Sequence, residues 1–178
     1  MHKDIKKILI SEQEIDSIVS NLAEKIDKDY ENKDMLMVGL LKGSICFMAD
    51  LMKKMKSDFK IDFVVASSYA NGTESTGTVN IVKDVSQSVQ GKDILIVEDI
   101  IDSGNTLDFM VKYFKAKKAN SVKIATLLDK PERRKVKIDV DYVGKIIPDE
   151  FVVGYGLDYA EDYRTLPYIG ILKESVYS

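Results

Sequence analysis

The segment Ile94-Leu95-Ile96-Val97-Glu98-Asp99-Ile100-Ile101-Asp102-Ser103-Gly104-Asn105-Thr106-Leu107 passes from a wholly apolar stretch into two adjacent carboxylates, then into a turn of small polar residues. A short apolar run such as 94–97 reads as a strand buried on both faces. In open α/β sheets the C-terminal ends of strands are where ligands bind. The turn that follows leaves backbone N–H groups free, adds hydroxyls, and leads into a helix whose dipole favours negative charge. It reads as a phosphate cradle. Carboxylates at its mouth would repel phosphate, so ribose hydroxyls or a phosphate-bound cation are their natural partners. A sugar phosphate therefore suits the segment better than inorganic phosphate. The same residues would also make an ordinary capped strand-turn-helix connection with solvated acids.

Outward from this segment, hydrophobic periodicity sets the frame. Ser11 with Glu14 forms a capping box before a helix whose apolar face is Ile15, Ile18, Val19, Leu22 and Ile26. Residues 35–41 read as a buried strand, Gly43 as a turn, 44–55 as a second helix and 61–67 as the next strand. Residues 68–80 are rich in Gly, Ser, Thr and Asn and read as a lid-like loop. Leu107, Met110, Val111 and Phe114 mark a third helix, and 122–128 a further strand. Beyond these come short β-like pieces at 142–147, 151–155 and 168–172. Strands alternating with helices imply an α/β fold, a mainly parallel twisted sheet flanked by helices. We expect one domain over 1–178, with a core of about 10–135 and a small β-rich C-terminal hood mainly from about 136–178.

Composition narrows the chemistry. The 178 residues carry a net charge of -3 without a basic stripe, which argues against a nucleic-acid binder. No run approaches a membrane span, and the first residues show no apolar signal-peptide core, so we expect a cytoplasmic protein. The single histidine, His2, rules out a Ser-His-Asp triad or a histidine-based zinc site within the chain. The single cysteine, Cys46, lies among apolar neighbours and reads as a small buried hydrophobe. There is no Gly-x-x-x-x-Gly-Lys-Ser/Thr and no Gly-x-Gly-x-x-Gly. Chemistry must come from carboxylates, Lys, Arg, Tyr, backbone amides and a bound Mg²⁺.

Val97-Glu98-Asp99-Ile100-Ile101-Asp102-Ser103-Gly104-Asn105-Thr106 closely resembles the ribose-5-phosphate-pyrophosphate motif of type I phosphoribosyltransferases, in the variant of the hypoxanthine-guanine enzymes. Leu41-Lys42-Gly43 resembles the family's pyrophosphate turn, and Ser68-Tyr69 the start of its mobile catalytic loop. Lys130, after Thr126-Leu127-Leu128, is similar to its purine-reading lysine. The run from Ile147 through Phe151, Val152 and Asp158, with Arg164 following, resembles its hood. The matches cover about residues 10–175. Two departures stand out. Ser103-Gly104-Asn105-Thr106 replaces the Thr-Gly-Lys-Thr of some relatives, a form that looks bacterial. Pro131 stands where a second basic residue commonly follows the lysine.

The resemblance implies transfer of a 5-phosphoribosyl group from phosphoribosyl pyrophosphate to hypoxanthine or guanine, with Mg²⁺. It implies Asp102 as the proton acceptor and Ser68 and Tyr69 as working residues of the lid. Glu98 and Asp99 would hold the ribose hydroxyls and, with Asp158, the metal. Ser103, Gly104, Asn105 and Thr106 would bind the 5′-phosphate, and Lys42, Gly43 and Arg164 the pyrophosphate. Lys130 would meet the purine C6 oxygen, Phe151 would stack on the base, and Val152 would add backbone contacts. Lys130 could equally be a solvated strand-end lysine, Phe151 core packing, and Asp102 a helix cap. A regulator that senses ribosyl pyrophosphate and an enzyme for xanthine or adenine are the alternative functions. A homodimer or homotetramer is the usual assembly of the family.

Overall fold

The computed structural model describes residues 1–68 and 79–177. Six strands form the central sheet: β2 (Met35–Leu41), β3 (Lys60–Ser68), β4 (Val79–Lys83), β5 (Asp93–Ile101), β6 (Ser121–Asp129) and β7 (Tyr142–Ile146), in the order β4-β3-β2-β5-β6-β7. All neighbours are parallel except the edge strand β4, which is antiparallel to β3. Helices α1 (Glu12–Asp29) and α2 (Ile45–Lys54) cover one face and α3 (Asn105–Ala116) the other. The strands show why. Met35, Met37, Leu95 and Val97 pack under α1 and α2, while Leu36, Val38, Ile94 and Ile96 face the α3 side. Successive side chains of a strand point to opposite faces, so a doubly covered sheet requires unbroken apolar runs.

The capping box is formed: the Glu14 N–H donates to Ser11 Oγ at 3.3 Å, and the Ser11 N–H donates to Glu14 Oε2 at 2.9 Å. Ile15, Val19, Leu22 and Ile26 are buried beneath α1, as the periodicity requires.

Strand β5 runs four residues past the apolar stretch, so Glu98 and Asp99 lie within it rather than in the turn. The reason is its partner. The ladder with β6 continues through Glu98↔Thr126 to Ile101↔Asp129, whereas the ladder with β2 stops at Gly39↔Val97. Beyond Val97, β5 is open on the β2 side. The site is built in that opening.

A second, antiparallel sheet has the order β1-β9-β8, from β1 (Ile5–Ile10), β8 (Val152–Val153) and β9 (Ile169–Leu172). Its small core holds Ile5, Val153 and Leu172, with Phe151, Tyr159 and Tyr177 packed against them. Two features correct the expected layout. The segment at 142–147 extends the core sheet as β7 rather than the lobe, and the Tyr142 hydroxyl ties it to α1 by donating to Asp29 Oδ2 at 2.6 Å. The hood sheet also takes a strand from the start of the chain. A short helix, α4 (Glu174–Tyr177), follows β9.

Ser11→Ala should remove the Oγ acceptor of the Glu14 N–H, leaving only the backbone half of the capping box, and cost about 1 kcal/mol. A thermal melt should show a fall of about 2–4 °C in Tm for a chain of this size; an unchanged Tm would mean the cap contributes nothing.

Candidate active site

After Ile101 the chain turns through Asp102 and Ser103 to Gly104, which sits at φ +81 as the N-cap of α3. A side chain would be strained there, and glycine is not. Gly104 has no side chain to cap the helix, so the N–H groups of its first turn beyond Asn105 are left for a ligand. The Asn105 N–H is 3.4 Å from Ser103 Oγ, while Ser103 O accepts from the Lys135 N–H at 3.0 Å, which braces the turn from behind. A cavity of about 130 Å³ opens over it, lined by Glu98, Asp102, Ser103, Gly104 and Thr106 among others. Asn105, expected beside the phosphate, starts α3 but is not among the lining residues.

A second cavity, about 240 Å³, shares Ile100 and Asp102 with the first and adds Asp99, Lys130, Arg133, Phe151, Val152 and Asp158. Lys130 is not a solvated strand-end lysine: it is 4% exposed. Its N–H donates to Ile101 O at 3.0 Å, which fixes it beside the end of β5. Its Nζ lies 3.7 Å from Asp102 Oδ1 and 4.0 Å from Asp149 Oδ1. Asp102 Oδ1 is shielded from water and has no hydrogen-bond partner among the described residues. Phe151 stacks on Tyr177 (4.9 Å between centroids, 23° between planes) and meets Tyr159 edge-on.

Arg133 and Asp149 were not foreseen. Pro131 opens a single 3₁₀ turn, Pro131–Arg133, that returns the third residue to the side of Lys130, and Arg133 Nε lies 3.5 Å from Asp149 Oδ1. The basic residue missing at 131 is thus supplied two positions later. A proline at the start of a turn was the signal that could have found it.

The acid pair carries the clearest electrostatic signature. Burial, and next the neighbouring Asp99 charge, push the Glu98 carboxyl well above its usual range, and burial also raises Asp99. Among the described residues neither acid forms an ion pair, and the Arg164 charge lowers Asp99 only in part. Asp99 is pressed against the turn after β2. A Cβ on Gly43 would fall 1.7 Å from Asp99 Oδ2, and one on Gly156 would fall 2.1 Å from Gly43 O. Only glycines permit that stack. Next to it, Lys42 Nζ lies 2.8 Å from Glu161 Oε2. Arg164 Nη1 donates to Gly156 O at 2.7 Å and lies 3.0 Å from Asp158 Oδ1, while Nη2 is 3.4 Å from Glu161 Oε1. Lys42, Asp158 and Arg164 therefore meet through Glu161, an acid with no signal of its own in the sequence.

Among the described residues no three His, Cys, Asp or Glu side chains come together as a metal cage. Asp99 and Asp158 line one cavity and Glu98 the other, so the three expected metal-holding acids do not form one cluster. Ser68 closes β3, its backbone paired with Val79; Tyr69 and the rest of the expected lid through 78 lie outside the described residues. A larger hollow of about 470 Å³ lies away from these groups, between α1, α2 and Tyr155. Its lysines are already paired, Lys53 with Asp50 and Lys54 with Asp16, and it holds none of the candidate site residues.

Residues 4–160 match the family model of the phosphoribosyl transferase domain. The chain is 57% identical over all 178 residues to the hypoxanthine-guanine phosphoribosyltransferase of Streptococcus pyogenes serotype M3, covering 99% of that protein. Its fold superposes on the crystal structure of a hypoxanthine phosphoribosyltransferase from Staphylococcus aureus with a TM-score of 0.97, at 53% identity, covering 100% of this chain and 97% of that one. A hypoxanthine-guanine phosphoribosyltransferase from Bacillus anthracis gives a TM-score of 0.91 at 50% identity, over 95% of this chain and 99% of that one. The acid-bearing strand, the cradle at α3 and the glycine-packed turn thus sit in a chain that belongs, over nearly its whole length, to the type I phosphoribosyltransferase family.

Proposed function

We propose that this enzyme transfers the 5-phosphoribosyl group from phosphoribosyl pyrophosphate to hypoxanthine or guanine, releasing pyrophosphate and IMP or GMP, a purine-salvage reaction. The observation that carries the reading is the buried Lys130 ammonium 3.7 Å from the half-exposed Asp102 carboxylate, in a cavity lined by Phe151 and adjoining the cradle at α3. An ammonium is a donor only, so Lys130 suits the C6 oxygen of hypoxanthine or guanine and not the amino group of adenine. The unpartnered Asp102 Oδ1 supplies an acceptor for the imidazole N–H of the base. As the base nitrogen bonds to the anomeric carbon, the bond to the pyrophosphate oxygen breaks and its electron pair leaves with pyrophosphate. The nitrogen's proton passes to Asp102.

Residues Ser103, Gly104 and Thr106 and the free amides of α3 would hold the 5′-phosphate, and Lys42 and Arg164 the pyrophosphate. Phe151 would lie against the base, and Val152 would offer backbone groups. Glu98 and Asp99 would take the ribose hydroxyls, whose donors relieve the cost of ionising two partly buried, desolvated acids. The donor set also suits Mg²⁺, an ion held by one or two carboxylates together with substrate oxygens rather than by a protein cage. Asp158 and Asp99, or Glu98, would hold it, and when bound it neutralises charge on the leaving pyrophosphate. A cytoplasmic location belongs to the same proposal, supported by the lone free thiol Cys46; no described helix is long and apolar enough to cross a membrane. So does a homodimer or homotetramer, supported by the exposed apolar pair Ile45 and Met52 on α2.

Steady-state assays with phosphoribosyl pyrophosphate and Mg²⁺ should show turnover of hypoxanthine or guanine and little of adenine. Asp102→Asn should lower kcat by about 10²–10⁴-fold. Adenine used as well as hypoxanthine would defeat the role given to Lys130, and preferred xanthine would redirect it. Gly43→Ala, which drives a methyl into Asp99, should fold yet lose about a hundredfold in kcat/KM, since small displacements of reacting groups cost that much; unimpaired turnover would refute the packing argument. The raised Glu98 makes a further prediction. Its ionisation costs folded-state stability once pH rises above the ordinary value of 4.5, and the cost is complete above its folded value. Ligand-free Glu98→Gln should therefore melt above the wild type at pH ~8, with the gap closing as pH falls toward ~4. A pH-independent gap would argue against a strained acid.

A further inference from the structure

Lys42 and Arg164 approach the same space from different parts of the chain, one from the turn after β2 and one from the hood. A single carboxylate spans them. Glu161 Oε2 lies 2.8 Å from Lys42 Nζ, and Oε1 lies 3.4 Å from Arg164 Nη2, so each oxygen serves one cation. The Glu161 N–H is held by Asp158 Oδ2 at 2.9 Å. The backbone pays for this arrangement: Ala160, Glu161 and Tyr163 sit at φ +51, +71 and +74, a left-handed region that non-glycine residues seldom adopt. Arg164 Nε, meanwhile, is shielded from water and has no acceptor. Two oxygens of one anion bridging a lysine and an arginine is also how a diphosphate would engage them.

We propose that Glu161 is an internal stand-in for the pyrophosphate group. It keeps Lys42 and Arg164 together in the free enzyme, yields both when the ribosyl pyrophosphate arrives, and reclaims them as pyrophosphate leaves. The inference rests on the reading that these two cations meet pyrophosphate. No bond is made or broken in the exchange; one anion replaces another. Exposure makes it workable. The Lys42 and Glu161 side chains are each 65% exposed, and such pairs are weak enough to be displaced by a more highly charged ligand. A buried carboxylate in that position would close the site instead. Glu161 is thus a positioning residue that also competes with the product.

Glu161→Gln tests this, with Asp162→Asn as a control that removes the same charge from the exposed neighbouring residue. Binding of inorganic pyrophosphate in the presence of Mg²⁺ is read by titration calorimetry on both full-length variants and the wild type. Glu161→Gln should bind about two- to fivefold more tightly, the range an exposed ion pair supports, and Asp162→Asn should match the wild type. The KM for the ribosyl pyrophosphate should fall by a similar factor and that for hypoxanthine should not move, a split that general loosening of the hood would not produce. Unchanged or weaker pyrophosphate binding, or an equal gain in the control, would overturn the proposal. Calorimetry needs no turnover. A wild type inactive on every purine would therefore sink the functional reading while leaving these affinities to decide the role of Glu161.

Discussion

No side chain fits between the turn after β2 and the acids of β5, and the site's architecture depends on that contact. Gly43 rests on the Asp99 carboxylate and Gly156 rests on the Gly43 carbonyl, a stack that a single methyl group would break at either level. The stack becomes possible where β2 and β5 part after Gly39↔Val97 while β5 stays paired to β6. Groups more than a hundred residues apart in sequence are brought together by this one approach of backbone to carboxylate. Lys42 arrives with the turn, Glu98 and Asp99 with the strand, and Asp158 and Arg164 with the hood.

The contact also sets the electrostatics. Packing the hood and the turn over β5 strips water from Glu98 and Asp99, and the Arg164 charge offsets this only in part at Asp99, so both acids are pushed toward their neutral forms. Asp102 Oδ1 and Arg164 Nε are buried without partners in the same region. Elsewhere the charges are settled: Asp27 accepts from Ser57 and the backbone of Lys56, and Asp62 from Ser86 and the backbone of Phe63. Unsatisfied polar groups are costly, and among the described residues two of the three buried side-chain atoms without a partner belong to the candidate site, the third being Arg134 Nη1. The sheet, with its two apolar layers, carries the stability that allows this.

Which of these features could be read from the sequence follows from the range of the forces involved. Strands β2 and β5 and helix α1 were legible because burial on one or both faces writes a local period into the residues. The length of β5 was not, since it is set by its pairing with β6, and strand partners leave no mark on either strand alone. For the same reason 142–147 looked like part of the lobe, and Ile5–Ile10 carried no sign that it joins β9. The cradle at 102–106 was legible because small residues before a helix have a direct physical meaning. Lys130 became a candidate only through the family resemblance, and its burial depends on the backbone of Ile101 and the carboxylate of Asp102. Glu161, Asp149 and Arg133 are ordinary surface residues in one dimension and become neighbours of the site only in three.

The hood sheet joins the two ends of the chain, and that has a mechanical consequence. Strands β1 and β9 are antiparallel, with Ile5 opposite Leu172 and Ile10 opposite Ile169. Both termini therefore leave from the same edge of the pair. A force drawing the ends apart would load the backbone hydrogen bonds one after another, as in opening a zip, rather than shearing them together. The hood would peel from the Ile5 side before tension reached the parallel strands beneath. Tethered by its ends, this molecule would lose the wall that carries Phe151 and Val152 at low force while the sheet under it still held.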